Sequence, residues 1–255
     1  MMRFDKVLPS DRLKPYIRHF IIAENPHEHT YKVLPSMSLV LGFQYTGRLS
    51  VLNQQHENSL AGAGITGMAD TYKVFKNSAG IGTILVYFTE IGFAHFSTSP
   101  AHELFNQSVA LDNLFDTEKV REIEEKLALA QTDKQRIQHV EQFLVSQLKD
   151  IQTDKLVIEA VKLIYSAKGN IRIKELNEKL FISQSPFEKR FRKLVGTTPK
   201  KFASIVRLNT VINALSTEKS LIDICYENHF FDQAHFIKDF RQYTGDTPEN
   251  FKRSL

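Results

Sequence analysis

An internal repeat constrains the fold of this chain more than any other sequence feature: residues 187–202 (FEKRFRKLVGTTPKKF) recur 49 positions later as residues 236–251 (FIKDFRQYTGDTPENF). The shared pairs include Phe187/Phe236, Phe191/Phe240, Arg192/Arg241, Gly196/Gly245, Thr198/Thr247, Pro199/Pro248 and Phe202/Phe251. A period of this size indicates one supersecondary unit that the chain uses twice.

Each copy follows the same local rules. Two phenylalanines four residues apart, such as Phe187 and Phe191, share one face of a helix and predict that this face is buried. A glycine follows where helices commonly end in a left-handed residue, so Gly196 and Gly245 are predicted to terminate their helices. Threonine as the N-cap and proline in the first turn then begin another helix.

A short helical segment precedes each copy, at residues 173–180 and 221–228. Each unit is therefore predicted to be a helix-turn-helix, about residues 173–197 and 221–246, whose second helix enters a DNA major groove. Residues 199–215 between the units are long enough for one spacer helix of about 25 Å. Two such units on one chain can read successive turns of the major groove, which recur about every 34 Å.

Charge is distributed unevenly along the chain. Residues 155–255 hold 18 Lys and Arg against 11 Asp and Glu, and the rest of the chain holds 15 against 18, so a total of +4 divides into +7 and −3. Basic charge in the part that carries the repeat makes nucleic acid a candidate partner. With 42% hydrophobic and 24% charged residues, the composition is typical of a globular protein.

The first hundred residues consist of short apolar runs separated by Gly, Asn and Ser. The runs are 30–42, 47–53, 59–67, 72–75 and 81–89. Their β-branched and aromatic residues predict an antiparallel barrel or sandwich. Two amphipathic helices follow, at 117–130 and 134–148, and their apolar stripes either cover the sheet or form a dimer interface. The predicted fold class is α+β with two domains.

The helical part resembles the DNA-binding domain of the AraC/XylS transcription regulators. Residues 231–251 (FDQAHFIKDFRQYTGDTPENF) are similar to the second helix-turn-helix signature of that family, and residues 190–208 (RFRKLVGTTPKKFASIVRL) resemble its first unit and linker helix. The resemblance implies an AraC-type DNA-binding domain at 155–255. It also implies, more remotely, a cupin-like sensing and dimerisation domain at 1–150.

By the same resemblance, each unit places three residues of its recognition helix on DNA bases. They are Ser185, Glu188 and Lys189 in the first unit and Gln233, Ala234 and Lys238 in the second. The chemistry agrees, because lysine can donate to guanine and glutamine can pair with adenine. Contact with phosphate alone is the alternative for the lysines and Gln233. Ser185 and Glu188 also have the spacing of a capping box, which would make both residues structural.

The turns of the two units depart from the family pattern. Phe181 and His229 stand where the family usually has glycine, and Asn177 and Cys225 stand where it usually has alanine. A residue other than glycine with positive φ costs about 1 kcal/mol or more, so these turns either avoid that conformation or are strained. Cys225 is expected to be a small buried residue rather than a reactive thiol.

Further basic residues are candidates for contacts with DNA phosphates, which supply affinity independent of sequence. These candidates are Arg192, Lys200, Lys201, Arg207, Arg241, Lys252 and Arg253. Each has a simpler alternative as a solvated charge or, for Arg207, as a tie between helices.

The sequence offers little support for catalysis, and no catalytic residues are predicted. The cluster His27-Glu28-His29 is similar to a cupin metal motif, but no glutamate follows at a useful distance, so no metal and no cofactor are expected. The single cysteine permits no intrachain disulfide. No run approaches 18 apolar residues and the N-terminus lacks a signal-peptide core, so a cytoplasmic protein is expected.

The sequence therefore predicts a bacterial-type regulator that binds double-stranded promoter DNA. A homodimer is expected, a small-molecule effector is a candidate partner, and RNA polymerase is a partner if the protein activates transcription. The rival hypothesis is a cupin-type metal-dependent enzyme or sensor with a DNA-binding tail. A third alternative is an architectural or partner-binding protein without a ligand.

Overall fold

The computed structural model describes residues 2–53, 56–217, 220–228, 230 and 233–254, apart from the side chain of His235. Strands occupy the front of the chain. They are β1 (Arg3–Val7), β2 (Ile17–Asn25), β3 (His29–Val33), β4 (Val40–Thr46), β5 (Leu49–Asn53), β6 (His56–Ser59), β7 (Ala63–Thr66), β8 (Lys73–Asn77), β9 (Ile81–Phe88) and β10 (Ser108–Ala110).

These strands form two antiparallel sheets, with the order β1-β2-β9-β4-β7-β10 in the larger and β3-β8-β5-β6 in the smaller. Side chains alternate along β4: Leu41 and Phe43 are buried in the core, whereas Val40 and Gly42 line a cavity between the sheets. The predicted antiparallel β-rich front is confirmed.

Three strands, β1, β2 and β10, lie outside the runs that the sequence singles out, and β6 lies outside them except for its last residue. The clearest case is β6, whose sequence HENS has no apolar residue and is exposed throughout. Pairing with β5, in which Asn53 lies opposite His56, makes this segment a strand. Backbone hydrogen bonding to a neighbour leaves no period in the side chains, so the pattern does not reveal it.

Two helices follow the strands, α1 (Thr117–Leu129) and α2 (Asp133–Gln147). Thr132 and Gln135 form a reciprocal capping box at the start of α2. The apolar stripe of the pair is buried against the larger sheet, and the rings of Phe143 and Phe43 meet edge to face at 6.0 Å. The stripe is therefore covered within the chain, as one of the two sequence interpretations expects.

Helices form the rest of the described chain. They are α3 (Lys155–Ser166), α4 (Ile173–Lys179), α5 (Gln184–Val195), α6 (Pro199–Leu215), α7 (Leu221–Glu227), α8 (Gln233–Thr244) and α9 (Pro248–Arg253). The repeat behaves as predicted, since Gly196 and Gly245 follow α5 and α8 with φ of +100° and +71°. Thr198 and Thr247 cap α6 and α9, each with proline in the first turn.

The first turn corrects one sequence interpretation. Helix α5 has Ser183 as its N-cap residue, and Ser185 lies inside the first turn, so the capping box from Ser185 to Glu188 is wrong. Pro186 is the third helical residue, where a missing N–H leaves no intrahelical bond unmade. Phe181 adopts φ of +51° and is 95% exposed, so this turn is strained. His229, the matching residue of the second unit, lies outside the described residues.

Two hydrophobic cores hold the described chain together. The larger contains the sheet residues, the α1–α2 stripe, and helices α3 to α5 with the first half of α6, and it runs without interruption from Leu13 to Val206. The smaller contains Leu208, Val211 and Leu215 of α6 together with residues of α7 and α8. The larger core crosses the predicted domain limits of 1–150 and 155–255, and these limits stay a prediction.

Candidate nucleic-acid interface

Helix α5 presents a basic surface because phenylalanines anchor its other face. Phe187 and Phe191 are fully buried, with their rings 5.6 Å apart, and they pack with Leu176 of α4. The opposite face exposes Lys189 and Arg192. Side chains three and four positions apart share a helix face, so the buried phenylalanines turn these basic groups outward. Ser185 is also exposed at the start of the helix.

Helix α8 repeats this arrangement. Phe236 and Phe240 are buried in the smaller core, with ring centroids 5.9 Å apart. The predicted base-reading residues Gln233, Ala234 and Lys238 are exposed, as is Arg241. Cys225 is buried in α7 against this core, the position that the sequence assigns to a small residue. The two units therefore present lysines at matching positions, Lys189 and Lys238.

Glu188 and Arg207 are predicted DNA-contacting residues that are engaged within the protein. Glu188 is half-buried and accepts a hydrogen bond of 2.9 Å from the Gln184 amide. The guanidinium of Arg207 lies 4.3 Å from the centre of the Phe230 ring and 3.5 Å from the Asp239 carboxylate. Stacking on an aromatic ring together with an ion pair favours the tie between helices for Arg207 over a phosphate contact.

The remaining phosphate candidates differ in their surroundings. Lys200 is exposed at the start of α6, whereas the neighbouring Lys201 forms an ion pair with Asp70 of the front half. Arg253 pairs with Glu249 at 2.7 Å on exposed α9, and Lys252 is half-buried. Exposed pairs of this kind are weak, so the pair leaves Arg253 available to a phosphate.

Gln184 is a candidate that the sequence reasoning missed. It is the exposed first residue of α5 and matches Gln233 of α8 at the 49-residue offset. Glutamine can hydrogen-bond an adenine edge in the major groove. The register of the repeat contains the signal, because the 49-residue offset pairs Gln184 with Gln233.

A cavity of about 710 Å³ lies between the two sheets. Its walls are mainly apolar, and they include Val40, Leu85 and Phe75. Lys73 is half-buried in this wall and donates a 3.1 Å hydrogen bond to the Ser108 hydroxyl. Burial lowers the pKa of the Lys73 ammonium. The volume is in the range of small-molecule pockets. Sequence reasoning missed this cavity, because its lining comes from alternate residues of many strands.

The remaining sequence candidates do not converge on a site. His29 stacks on Tyr31, with ring centroids 6.0 Å apart. Among the described residues, no group of three or more His, Cys, Asp or Glu side chains is arranged to hold a metal ion. Within the same residues, no helix is long and apolar enough to cross a bilayer.

Comparisons with known proteins agree with this architecture. One family model, a helix-turn-helix domain, matches residues 176–254, and a domain of unknown function (DUF6597) matches residues 5–110. ToxT from Vibrio cholerae has the same fold, with 11% identity, 92% of this chain and 98% of ToxT covered, and a TM-score of 0.50. No curated protein matches the chain significantly.

Two further solved structures are similar over different lengths. The C-terminal domain of AraT, a response regulator from Geobacillus stearothermophilus, is 18% identical, covers 41% of this chain and 89% of its own, and has a TM-score of 0.39. The AraC-like transcriptional activator CuxR is 12% identical, with coverages of 83% and 86% and a TM-score of 0.29. The repeated units and the helix-turn-helix match at residues 176–254 support a DNA-binding transcription regulator with a β-rich N-terminal region, and its C-terminal part is similar to the AraC type.

Proposed function

We propose that the chain binds promoter DNA with α5 and α8 in two successive major grooves. Matching exposed lysines, Lys189 and Lys238, carry this proposal, because each lies opposite the buried phenylalanines of its helix. Lysine can donate to guanine O6 or N7 from such a position. Gln233 and its counterpart Gln184 stand at the starts of the same helices and suit adenine.

Sequence-independent affinity would come from the exposed basic residues beside these helices. Arg192 and Arg241 occupy matching positions of α5 and α8, and Lys200 is the second residue of the linker helix α6. Each phosphate contact releases a condensed counterion, so binding by such residues weakens as salt rises. Because the basic excess of residues 155–255 is modest, we expect one unit alone to bind weakly and strong binding to require both units.

Selection of preferred duplexes from a random pool tests this proposal. We expect two blocks of specified bases, separated by about one helical turn of roughly 10 base pairs. A single short block would contradict the use of two units. The same selection with the Lys238→Ala variant should retain the block that α5 reads and lose definition in the other.

We further propose that the cavity between the sheets binds an organic acid with an apolar tail. The apolar walls suit the tail, and the half-buried Lys73 offers a cation to the carboxylate. ToxT, whose fold this chain shares, has been solved with an unsaturated fatty acid bound. The proposal makes the protein an effector-responsive regulator.

Thermal unfolding with monomeric oleate tests the cavity. A ligand that binds only the folded state raises Tm by mass action, so oleate should raise the Tm of the wild type. Lys73→Met should abolish most of that rise. Lys76→Met is the matched control, since Lys76 lies on the same strand and pairs with Glu28 and Glu57 outside the cavity lining. An unchanged wild-type Tm would contradict an oleate-like effector.

Assembly and cellular context complete the proposal. We infer a homodimer in the bacterial cytoplasm, with the front half as a cupin-like domain and RNA polymerase as the partner if the protein activates. A dimer through the α1–α2 pair would use its outward face, which exposes Leu129. Sedimentation velocity of Leu129→Glu against the wild type tests that interface.

A stoichiometric metal held by His27 and His29 would instead favour the enzyme hypothesis.

A further inference from the structure

A short segment before β8, residues 69–73, belongs to both the cavity wall and the contact with the helical half. Ala69, Thr71 and Lys73 line the cavity. Asp70 and Tyr72 contact residues of the helices instead. One segment therefore contributes residues to both surfaces.

Asp70 is held in a small polar cluster. Its carboxylate pairs with Lys201, the third residue of α6, and accepts a 3.0 Å hydrogen bond from the Asn106 amide. The backbone N–H of Asp70 donates to the Asn106 side-chain oxygen at 3.1 Å. The Lys201 ammonium also lies 4.7 Å from the centre of the Phe105 ring. Burial alone would raise the pKa of Asp70, but the bonds from Lys201 and Asn106 lower it overall.

Tyr72 lies directly against the end of α8. A Cβ atom added to Gly245 would lie 2.3 Å from the Tyr72 ring, so the ring packs on the backbone of that glycine. The Lys32 ammonium covers the same ring at 4.8 Å. The first unit makes a matching contact, because a Cβ on Gly196 would lie 3.2 Å from the carbonyl oxygen of Ala101. The two contacts differ, because Gly245 packs on the side chain of Tyr72, whereas Gly196 lies next to a backbone carbonyl.

The contact matters because the second unit has its own core. Among the described residues, the smaller core shares no buried member with the larger core that includes the sheets and α5. Tyr243 at the end of α8 packs against both, and it is only half-buried. Tyr72 therefore adds to the contacts that position the second unit against the sheets, whereas Asp70 ties the start of the linker helix α6 to them.

We propose that Asp70 and Tyr72 form an intramolecular restraint, which holds Lys201 and the end of α8 on the front half and competes with DNA for them. This inference rests on the proposed function, because it assigns Lys201 to phosphate once Asp70 releases it. The two restraint residues alternate in sequence with Ala69, Thr71 and Lys73 of the cavity wall, so an occupant of the cavity would contact the same segment. An acidic residue that holds a phosphate-binding lysine lowers DNA affinity, because the lysine–carboxylate contact must break before the lysine can contact phosphate.

DNA affinity of full-length variants tests the restraint. On a duplex recovered by selection, Asp70→Asn should lower Kd roughly twofold to fivefold, the range of an exposed ion pair. Tyr72→Ala should act in the same direction, and the double variant should bind most tightly. Asp112→Asn is the matched control, because it removes one exposed carboxylate from the same half and should leave Kd almost unchanged. Equal or weaker binding by both single variants overturns the restraint.

A double-mutant cycle distinguishes competition from a general charge effect. Lys201→Ala should weaken DNA binding more in the Asp70→Asn background than in the wild type, because only the released lysine reaches phosphate. Additive effects of the two substitutions overturn the competition.

Hydrogen exchange gives a readout that does not need DNA. Amides at the end of α8 should exchange faster in Tyr72→Ala than in the wild type, whereas amides of α5 should not change. Unchanged exchange in α8 overturns the restraint, even if the wild type binds no duplex at all. Absence of DNA binding by the wild type would instead contradict the proposed function.

Discussion

The two helix-turn-helix units share their local rules and differ in how they are anchored. In the first unit, Phe187 and Phe191 belong to a core that continues through α3 into the sheets. Tyr165 of α3 donates to Glu90 of the front half, which also pairs with Arg18. In the second unit, Phe236 and Phe240 belong to a separate core beside the last half of α6. Identical helix patterns therefore support two different attachments.

One pair of matching residues shows how the attachments diverge. Arg190 of α5 makes two hydrogen bonds of 2.8 and 2.9 Å to Asp154, the N-cap of α3. Its counterpart in α8 is Asp239, which pairs with Arg207 of the linker helix. The charge is reversed, and the tie runs to α3 in one unit and to α6 in the other. We infer that the first unit is the fixed reference and that the second is the adjustable one.

Removal of a core phenylalanine from each unit should give the largest effects and the sharpest contrast. Phe191→Ala and Phe240→Ala should each cost about 3–5 kcal/mol of unfolding free energy in the region they support. Because Phe191 lies in the shared core, its loss should destabilise the sheets and the first unit together. Loss of Phe240 should unfold α7 and α8 while the sheets keep their stability.

Hydrogen exchange of each segment, measured at increasing urea concentrations, tests this contrast. Sheet amides should lose protection in Phe191→Ala and keep it in Phe240→Ala. Equal loss of sheet protection in both variants would show that the two cores unfold as one unit, and the comparison would then fail.

The sequence predicts the shared part of the two units well and their differences poorly. The 49-residue repeat locates the helices, their glycine ends and their threonine caps, because these features depend on neighbours within a few residues. The ion pair between Asp70 and Lys201 joins residues 131 positions apart. No local pattern encodes such a contact, so Lys201 could be predicted only as a basic residue beside the recognition helix.

The same limit applies to the candidate site. Exposure of Lys189 and Lys238 follows from the helical period once the phenylalanines are assigned to the core. The role of Arg207 depends on where Phe230 and Asp239 come to lie, which the packing of α7 and α8 decides. The cavity with Lys73 depends on how the two sheets face each other, and that arrangement is not visible in any single strand.

Replacement of the two lysines that we propose to read bases should give the next largest effects. Lys189→Ala and Lys238→Ala should each cost about 1–3 kcal/mol of specific DNA binding and relax the preference at one base position. Fluorescence anisotropy with selected and single-base-changed duplexes measures both quantities. The control is Lys162→Ala, which removes an exposed lysine of α3 that pairs with Glu159. Full specific binding by both variants would contradict the assignment of α5 and α8 as reading helices.

Relief of the strained turn should stabilise the first unit by about 1 kcal/mol or less. Phe181 adopts φ of +51° with its side chain exposed, so Phe181→Gly removes strain and loses little packing. The greater flexibility of glycine in the unfolded chain offsets part of this gain. Chemical denaturation measures the change, and Phe181→Ala is the control that removes the ring but keeps the strain. Equal stabilities of the glycine and alanine variants would show that this φ stores no strain.

The smallest effect should come from an asymmetry at the helices that follow each unit. Lys200 is the second residue of α6, and its counterpart in α9 is Glu249, which pairs with Arg253. Lys200→Ala should therefore weaken binding to all duplexes alike and reduce the slope of log K against log salt by about one.

Glu249→Lys should steepen the slope by a similar amount, because it places a lysine at the matching position of the second unit. Titration of one specific and one unrelated duplex at several salt concentrations measures both slopes. Loss of specific binding alone in Lys200→Ala would show that this lysine reads a base, and an unchanged slope in Glu249→Lys would show that the second unit approaches DNA differently from the first.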